Sequence, residues 1–375
     1  MTLPPLLETI LGLALLLAGG EILVRGASRM ARALGVPPLI VGLTVVAFAT
    51  SAPEGAVSIQ AALRGTPGVA LGNVLGSNAF NILVVLGLSS VIYPMRVERQ
   101  LIRLDVPTLM GASLLVLFLA LDGALGQSDG GLLLGLGFAY VILLVLLALR
   151  HVDAPPGPEN GTAVPGGAPL HGFRYRAADL GMMLLGLAGL VGGADLLVEG
   201  SVTIARSLGA SELVIGLTLV AAGTSLPEAA TSVVASLRGE RSLAVGNVVG
   251  SNLFNLFFVL GGAAALGPGG IHVPSGALTF DMPVMVAVAL ACFPIFFTSR
   301  TIGRWEGALF LLYYFIYVGL LILDASDHDT RNLVLEAVLQ FVLPLTAITA
   351  ILGWWKNSEE RDEVRRAAED SRNSP

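Results

Sequence analysis

Two glutamates stand in the middle of apolar stretches that are otherwise suited to a lipid bilayer. Glu54 lies within GLTVVAFATSAPEGAVSIQAAL at 42–63, and Glu228 lies within GLTLVAAGTSLPEAATSVVASL at 216–237. An ionised carboxylate at mid-bilayer costs about 2.5–3.5 kcal/mol on insertion scales, so such a residue normally faces protein or water and serves a function. Neither stretch contains a Lys or Arg within its apolar core. We therefore expect a cation to neutralise the two carboxylates.

A proline precedes each glutamate and predicts a break in the helix that carries it. Pro53 and Pro227 lack a backbone N–H and clash with the carbonyl four residues earlier, which kinks a helix and frees backbone oxygens. Hydroxyl side chains stand just before both prolines, and with the freed carbonyls they form a set of hard ligands suited to Na⁺ or Ca²⁺. These hydroxyls belong to Thr50, Ser51, Thr224 and Ser225.

A second polar motif follows each glutamate. It reads GNVLGSNAFNILVVLG at 72–87 and GNVVGSNLFNLFFVLG at 246–261. Residues four apart share one face of a helix, so the serine and the last asparagine of each copy point the same way. We expect this face to lie towards the carboxylates. The residues on it are Ser77, Asn81, Ser251 and Asn255.

The composition indicates a polytopic membrane protein. Hydrophobic residues make up 54% of the 375-residue chain, charged residues only 13%, and the mean hydropathy is +0.81. The net charge of −6 and the absence of a basic patch argue against nucleic acid as a partner. Hydropathy predicts about eleven membrane-spanning helices. They lie near 4–24, 37–63, 68–92, 104–121, 131–149, 177–206, 211–237, 242–266, 279–298, 304–323 and 332–355.

Loops and linkers divide the chain into four parts. We expect a first half at 1–150, a Pro/Gly-rich linker at 151–176, a second half at 177–325, and an extra helix with a charged tail at 326–375. Arginines concentrate in alternate loops, which by the positive-inside rule predicts that the N-terminus is outside and that the linker and tail are cytoplasmic.

The two halves are an internal duplication. Glu54 and Glu228 are 174 residues apart (228 − 54 = 174), and the flanking motifs align at the same offset without a gap. Roughly half of the positions over 21–88 are identical to their partners, far above what shared hydrophobicity gives. Five predicted spans separate equivalent helices, so the second copy is upside down relative to the first. Such inverted repeats are typical of secondary transporters, whose ion sites lie at the midplane.

The duplicated TSAPE with GNVLGSNAFN, and TSLPE with GNVVGSNLFN, resemble the two α-repeats of the sodium/calcium exchanger family, within the cation/calcium exchanger superfamily. The resemblance covers roughly 1–325 as two inverted five-helix halves with broken helices at the midplane. It implies an all-α membrane protein. The predicted span at 332–355 departs from the ten-helix prokaryotic pattern.

The resemblance also implies four cation sites at the midplane. One Ca²⁺ would bind Glu54 and Glu228 with the carbonyls of Thr50 and Thr224. Two flanking Na⁺ sites would use backbone oxygens at the alanines and threonines with the serine hydroxyls. The first would comprise Ala47, Thr50, Ser77 and Glu228, and the second Ala221, Thr224, Ser251 and Glu54. Asn81 and Asn255 would line the centre.

The implied function is secondary exchange of Na⁺ for Ca²⁺ across the plasma (inner) membrane by alternating access. No cofactor beyond the transported ions is expected, and the sequence indicates no protein partner. The potassium-dependent branch carries aspartate at the position of Asn255. The amide in this chain therefore implies K⁺-independent exchange with two carboxylates. With three Na⁺ per Ca²⁺, as the resemblance implies, one net positive charge would cross with the Na⁺ ions, so transport would be electrogenic.

Three alternatives differ in chemistry. A calcium/proton antiporter would use similar broken helices, but that branch resembles a GNxxE pattern, whereas Ser77 and Ser251 follow the glycines here. A passive channel needs a continuous pore, which inverted repeats do not favour. An intramembrane enzyme needs a nucleophile and base or a metal motif, and the histidines are all predicted in loops. They are His151, His171, His272 and His328.

Other acidic residues receive structural interpretations. Glu21 and Asp195 share the repeat offset (195 − 21 = 174), and we interpret them as interfacial or capping groups near helix ends. Glu199 and its partner Arg25 are interpreted as loop charges. Asp105, Asp122 and Asp281 are expected to face loops or the membrane interface.

Overall fold

A computed structural model describes residues 4–152, 173–207, 221–299 and 301–326, which are almost entirely helical. The first half contains α1 Pro5–Leu34, α2 Pro38–Thr50, α3 Ala52–Leu63, α4 Pro67–Ile92, α5 Leu101–Asp122 and α6 Gln127–Val152. The second half contains α7 Phe173–Ser207, α8 Ala221–Gly223, α9 Leu226–Leu237, α10 Arg241–Leu266, α11 at 277–299 and α12 Arg304–Ser326. The predicted helix at 332–355, the tail and most of the predicted linker lie outside the described residues.

Within the described ranges, six helices are long and apolar enough to cross a membrane, or seven when the bent pair α2 and α3 forms one span. Large apolar side chains on their outer surfaces are exposed, including Phe118, Phe138 and Phe315. Exposed apolar side chains on long helices are what contact with lipid requires. The chain is thus an integral membrane protein, as its composition predicts.

The predicted break before Glu54 is confirmed. The axes of α2 and α3 differ by 47°, and the chain turns at Ser51, which has φ −85° and ψ 3°. Pro53 is tolerated here because it occupies the first turn of α3, where its missing N–H would have no helical partner. Ser225, the residue before α9, has nearly the same conformation, with φ −92° and ψ 6°. Both glutamates therefore begin a new half-helix.

Glycines allow α1 and α7 to pack backbone to backbone along their length. A Cβ atom built on Gly19 would lie 2.7 Å from the carbonyl oxygen of Gly186, so no larger residue fits without separating the helices. The close contacts recur at every seventh residue. The glycines involved are Gly12, Gly19 and Gly26 on α1 and Gly186, Gly193 and Gly200 on α7.

Two short strand pairs connect the halves at their loops. β1 (Met95–Arg96) pairs antiparallel with β4 (Thr301–Ile302), and β2 (Ala124–Leu125) pairs with β3 (Ile271–His272). The loop before α5 in one half therefore meets the loop before α12 in the other. β1 and β3 hold equivalent positions in the two halves, as do β2 and β4. Each strand therefore pairs with the non-equivalent strand of the other half. This exchange supports the predicted inversion of the repeats.

Helix boundaries and burial correct the interpretations of several charged residues. Asp195 and Glu199 lie inside α7 and Arg25 lies inside α1, so none of the three lies in a loop or near a helix end. α1 continues to Leu34, ten residues beyond the predicted end at 24, so Glu21 lies well inside a helix rather than near its end.

Asp105 is fully buried, and it accepts a hydrogen bond of 2.8 Å from the hydroxyl of Tyr140. The expectation that it faces a loop or the membrane interface is therefore wrong. Asp105 can be buried because the hydroxyl of a tyrosine on the next helix, α6, donates a hydrogen bond to one of its oxygens.

Candidate cation site

The two glutamates lie at the N-termini of two half-helices in the interior of the protein. Glu54 is the third residue of α3 and Glu228 the third residue of α9, and both side chains are completely buried. The positive end of each helix dipole favours a negative charge at this position. Burying a charge nevertheless costs free energy. Both carboxylates can therefore stay ionised inside the protein only if cations or further hydrogen-bond donors approach them.

Each carboxylate accepts a hydrogen bond from the opposite half of the chain. Ser225 Oγ lies 3.2 Å from Glu54 Oε1, and Ser51 Oγ donates to Glu228 Oε1 at 2.9 Å. The second oxygen of each carboxylate, Oε2, is buried and has no hydrogen-bond partner among the described residues. These two oxygens are the strongest candidates for binding a cation.

Hydroxyl oxygens surround the carboxylates. Thr50 is fully buried, and its Oγ1 lies 3.5 Å from Ser251 Oγ. A second contact between the halves brings Ser225 Oγ to 3.0 Å from Ser77 Oγ. The structure therefore brings the predicted serines and threonines of one half against those of the other, as a site between two repeats requires.

Four asparagines form a chain of hydrogen bonds between α4 and α10, in the order Asn81, Asn252, Asn78 and Asn255. Asn81 Nδ2 donates to Asn252 Oδ1 at 3.1 Å, and Asn255 Nδ2 donates to Asn78 Oδ1 at 3.2 Å. Asn78 and Asn252 also donate to each other's backbone carbonyls, at 3.4 and 3.3 Å. The amide donors are thus used, while the Oδ1 atoms of Asn81 and Asn255 are buried without a partner among the described residues. These two oxygens are further candidate ligands.

The predicted backbone ligands are less fully described. The carbonyl of Ala47 accepts the N–H of Ser51 at 3.0 Å, and Thr50 Oγ1 lies 3.4 Å from it. Ala221 is the first residue of α8, and Thr224 lies half-buried at the break that follows. The assignment of particular residues to particular ions remains a prediction.

Two asparagines that the sequence interpretation left without a role hold the site together. Asn247 Nδ2 donates to Ser232 Oγ at 3.0 Å and lies 3.5 Å from the carbonyl oxygen of Glu228, while its Oδ1 accepts from Thr50 Oγ1 at 3.2 Å. Asn73 makes the equivalent contacts in the other half. They join Asn73 to Ser58, the Glu54 carbonyl and Thr224. The sequence does contain a signal for this pair, because Asn73 and Asn247 are identical residues at the repeat offset of 174 (247 − 73 = 174).

We expect Asn247→Ala to weaken cation binding more than it slows maximal transport. Removing this side chain frees Thr50 and the backbone next to Glu228 to move, without removing a proposed ligand. Losing a residue that orients metal ligands typically costs about 10–100-fold in affinity. The measurement is the Ca²⁺ concentration that gives half-maximal flux in proteoliposomes. An unchanged half-maximal concentration would show that Asn247 does not position the site.

The site contains two carboxyl groups and, among the described residues, no fixed positive charge. Of the residues whose burial the structure describes, no Lys or Arg is buried, whereas Glu54 and Glu228 both are. The side chains that hydrogen-bond to the two carboxyl groups, Ser51 and Ser225, are neutral. Oxygen ligands with a total charge of −2 suit Na⁺ and Ca²⁺ rather than softer metals.

Comparison with known proteins identifies the group to which this arrangement is similar. The family model described as sodium/calcium exchanger protein matches residues 5–149 and 179–323, so it covers both halves and all of the candidate site.

Individual relatives agree with this match. The chain is 41% identical over 316 residues to the putative antiporter CaxA of Alkalimonas amylolytica, covering 83% of this chain and 97% of that protein. It is 34% identical over 319 residues to the inner membrane protein YrbG of Escherichia coli, covering 83% and 95%. A solved structure of the sodium–calcium exchanger NCX_Mj superposes with a TM-score of 0.71 at 32% identity, covering 85% of this chain and 99% of that one.

Proposed function

Because the chain belongs to the sodium/calcium exchanger family, we propose that it exchanges Na⁺ for Ca²⁺ by alternating access, electrogenically and without K⁺. Family membership makes the chain an antiporter rather than an enzyme or a passive channel. The identity of the coupling ion and the charge carried per cycle are the proposed part.

One observation carries the proposal. Four buried oxygens, from Glu54, Glu228, Asn81 and Asn255, have no hydrogen-bond partner in the part of the chain that the structure describes, and they come from both halves of the chain. A buried polar atom without a partner costs free energy, so the arrangement is best explained by cations that complete it. Two carboxylates neutralise one Ca²⁺.

The choice of Na⁺ over H⁺ rests on the second motif. The calcium/proton branch is marked by a GNxxE pattern, in which a glutamate follows the GN closely. In this chain Gly76 and Ser77, and Gly250 and Ser251, stand at that place in the two halves. Serine hydroxyls are neutral oxygen ligands for Na⁺ and, unlike a glutamate, do not gain or lose a charge near neutral pH. A calcium/proton antiporter is the alternative, and the coupling experiment separates the two.

The proposed orientation places the N-terminus outside and the linker and tail in the cytoplasm, in the inner membrane. It is supported by the arginines in alternate loops. The pairing of β1 with β4 and of β2 with β3 is compatible with it, because each pair joins two loops assigned to the same side.

We expect exchange to be driven by the membrane potential. If three Na⁺ replace one Ca²⁺ on two carboxylates, one net positive charge accompanies the Na⁺ ions through the protein. Moving one charge through 100 mV is worth about 2.3 kcal/mol, so an inside-negative potential should favour Na⁺ entry and Ca²⁺ export. The measurement is ⁴⁵Ca²⁺ flux in proteoliposomes whose potential is clamped with valinomycin and K⁺.

Imposed ion gradients decide the coupling ion. Flux that responds to a Na⁺ gradient, but not to a K⁺ or pH gradient at constant potential, is the expected result. Flux driven by the pH gradient alone would contradict Na⁺ coupling and support the calcium/proton alternative. A Na⁺-driven flux whose rate does not change with the membrane potential would indicate that two Na⁺ are exchanged for each Ca²⁺.

A further inference from the structure

The paired helices α1 and α7 pack against only one of the two glutamate-bearing half-helices. Both contact α9, and a Cβ atom on Gly20 of α1 would lie 3.2 Å from the carbonyl oxygen of Ala230. α3 is the repeat-equivalent of α9, and among the described residues it has no comparable contact with either α1 or α7. The α1–α7 pair therefore covers the half-helix α9 and leaves α3 uncovered. We call the end of the protein near α9 the closed end and the end near α3 the open end.

An ion pair joins the closed end. Arg238, which follows α9 directly, contacts both carboxylate oxygens of Glu21 on α1. Arg25, one helical turn along α1, donates to Glu21 Oε1 from its Nε at 3.0 Å. Glu21 is thus held by one arginine of its own helix and by another that arrives from the second half of the chain. We name the contact between Glu21 and Arg238 the first latch.

The same two positions exist at the open end but are not joined. The equivalents of Glu21 and Arg238 at the repeat offset are Asp195 and Arg64 (21 + 174 = 195; 238 − 174 = 64). Both side chains are exposed, and among the described residues no ion pair connects them. Like Arg238, Arg64 follows its half-helix directly and precedes a glycine with positive φ.

A cavity occupies the open end and leads towards the candidate site. It has a volume of about 470 Å³, and it is lined by Asp195, Val198 and Glu199 of α7 together with Thr224. At the closed end, the repeat-equivalent of Val198 is Val24 (198 − 174 = 24), which is completely buried. The two valines therefore report the state of the two ends.

We propose that Glu21 with Arg238, and Asp195 with Arg64, are alternative ion-pair latches that each close one end of the ion pathway while the other end is open. The inference rests on the alternating access proposed above. It goes beyond it by naming the charges that hold each closed state. In the described structure the first latch is formed and the second is separated. In the opposite state the second pair forms and the first separates.

The proposal gives the two acidic residues opposite effects. Glu21→Gln leaves Arg25 and Arg238 facing each other without a counter-charge, so the state described here loses stability. Asp195→Asn leaves this state unchanged, because Asp195 forms no ion pair with any described residue in it, and destabilises the opposite state. A partly exposed ion pair shifts such an equilibrium by about fivefold, and less at high salt.

Thiol accessibility in detergent-solubilised protein tests the latches without requiring any ion flux. The reporters are Val24→Cys and Val198→Cys, each introduced into a Cys292→Ala background, since Cys292 is the only cysteine in the sequence. The measured quantity is the rate of modification by a charged methanethiosulfonate at Val24→Cys, divided by the rate at Val198→Cys. We expect this ratio to rise about fivefold with Glu21→Gln and to fall about fivefold with Asp195→Asn.

Two further variants make the test specific. Asp179→Asn removes a charge of the same sign from α7 outside both latches, and it should leave the ratio unchanged. Arg64→Glu should lower the ratio, and adding Asp195→Arg should restore it, because the reversed pair can form again. Ratios that stay constant, or that move in the same direction for Glu21→Gln and Asp195→Asn, would overturn the proposal.

The outcome is separable from that of the proposed function. Opposite shifts in a protein that shows no Na⁺-driven Ca²⁺ flux would support the latches and contradict the assigned ions. Normal Na⁺-driven Ca²⁺ flux in a protein whose thiol accessibility does not shift would support the assigned ions and contradict the latches.

Discussion

Replacing either Glu54 or Glu228 by glutamine should abolish Ca²⁺ flux while leaving the protein folded and inserted. Each carboxylate has one oxygen held by a serine of the opposite half and one without a partner among the described residues. Glutamine keeps the shape and can still accept the serine hydroxyl, but it removes one of only two negative charges. An amide is also easier to bury than a carboxylate, so folding should not suffer.

The measurement is initial ⁴⁵Ca²⁺ uptake into Na⁺-loaded proteoliposomes, with thermal unfolding and gel filtration as tests of folding. Glu8→Gln is a matched control, because it makes the same chemical change in the first turn of α1, away from the site. We expect at least a hundredfold loss of flux for the two site variants, which is about 2.7 kcal/mol in a rate barrier, and parental flux for the control. Substantial Na⁺-dependent flux in either site variant would remove the glutamates from the ion pathway.

The sequence predicts the members of the candidate site because the chain presents them twice. A single glutamate in an apolar stretch has many explanations, but Glu54 and Glu228 share an offset with identical threonines, serines, prolines and asparagines. The structure brings side chains from both copies into contact, as the bonds from Ser51 and Ser225 show. The position of the helix break follows from proline chemistry alone, and the bend of 47° confirms it.

The same duplication conceals what the sequence does not predict. Equivalent residues in two copies carry no information about which copy is closed in a given state, so the separation of Asp195 from Arg64 could not be predicted. The supporting roles of Asn73 and Asn247 depend on contacts between halves that are distant in sequence. The placement of Glu21 failed for a local reason, because hydropathy ends a span where charges begin, whereas α1 continues through them.

A third carboxylate at the centre of the site should change which ions the protein needs. We expect Asn255→Asp to make exchange sensitive to pH near neutrality or responsive to K⁺ or additional Na⁺, neither of which the parent should show. Asn255 Nδ2 now donates to Asn78 Oδ1 at 3.2 Å, and a carboxylate oxygen in its place would face another acceptor. Three carboxylates in one buried site also repel one another. The extra charge must therefore be met by a proton or by another cation.

Exchange measured from pH 6 to 8, with and without K⁺, tests this prediction. Asn255→Ser is the matched control, because it removes the same hydrogen bond to Asn78 without adding charge, and it should keep the parental pH profile and K⁺ response. Asn81→Asp places the charge at the equivalent position, where Nδ2 donates to Asn252 Oδ1 at 3.1 Å, and it should change ion dependence in the same direction. If the aspartate variants match the parent at every pH and K⁺ concentration, the four hydrogen-bonded asparagines lie outside the ion pathway. The unpartnered Oδ1 atoms of Asn81 and Asn255 would then need another explanation, and the two glutamates alone would have to carry selectivity.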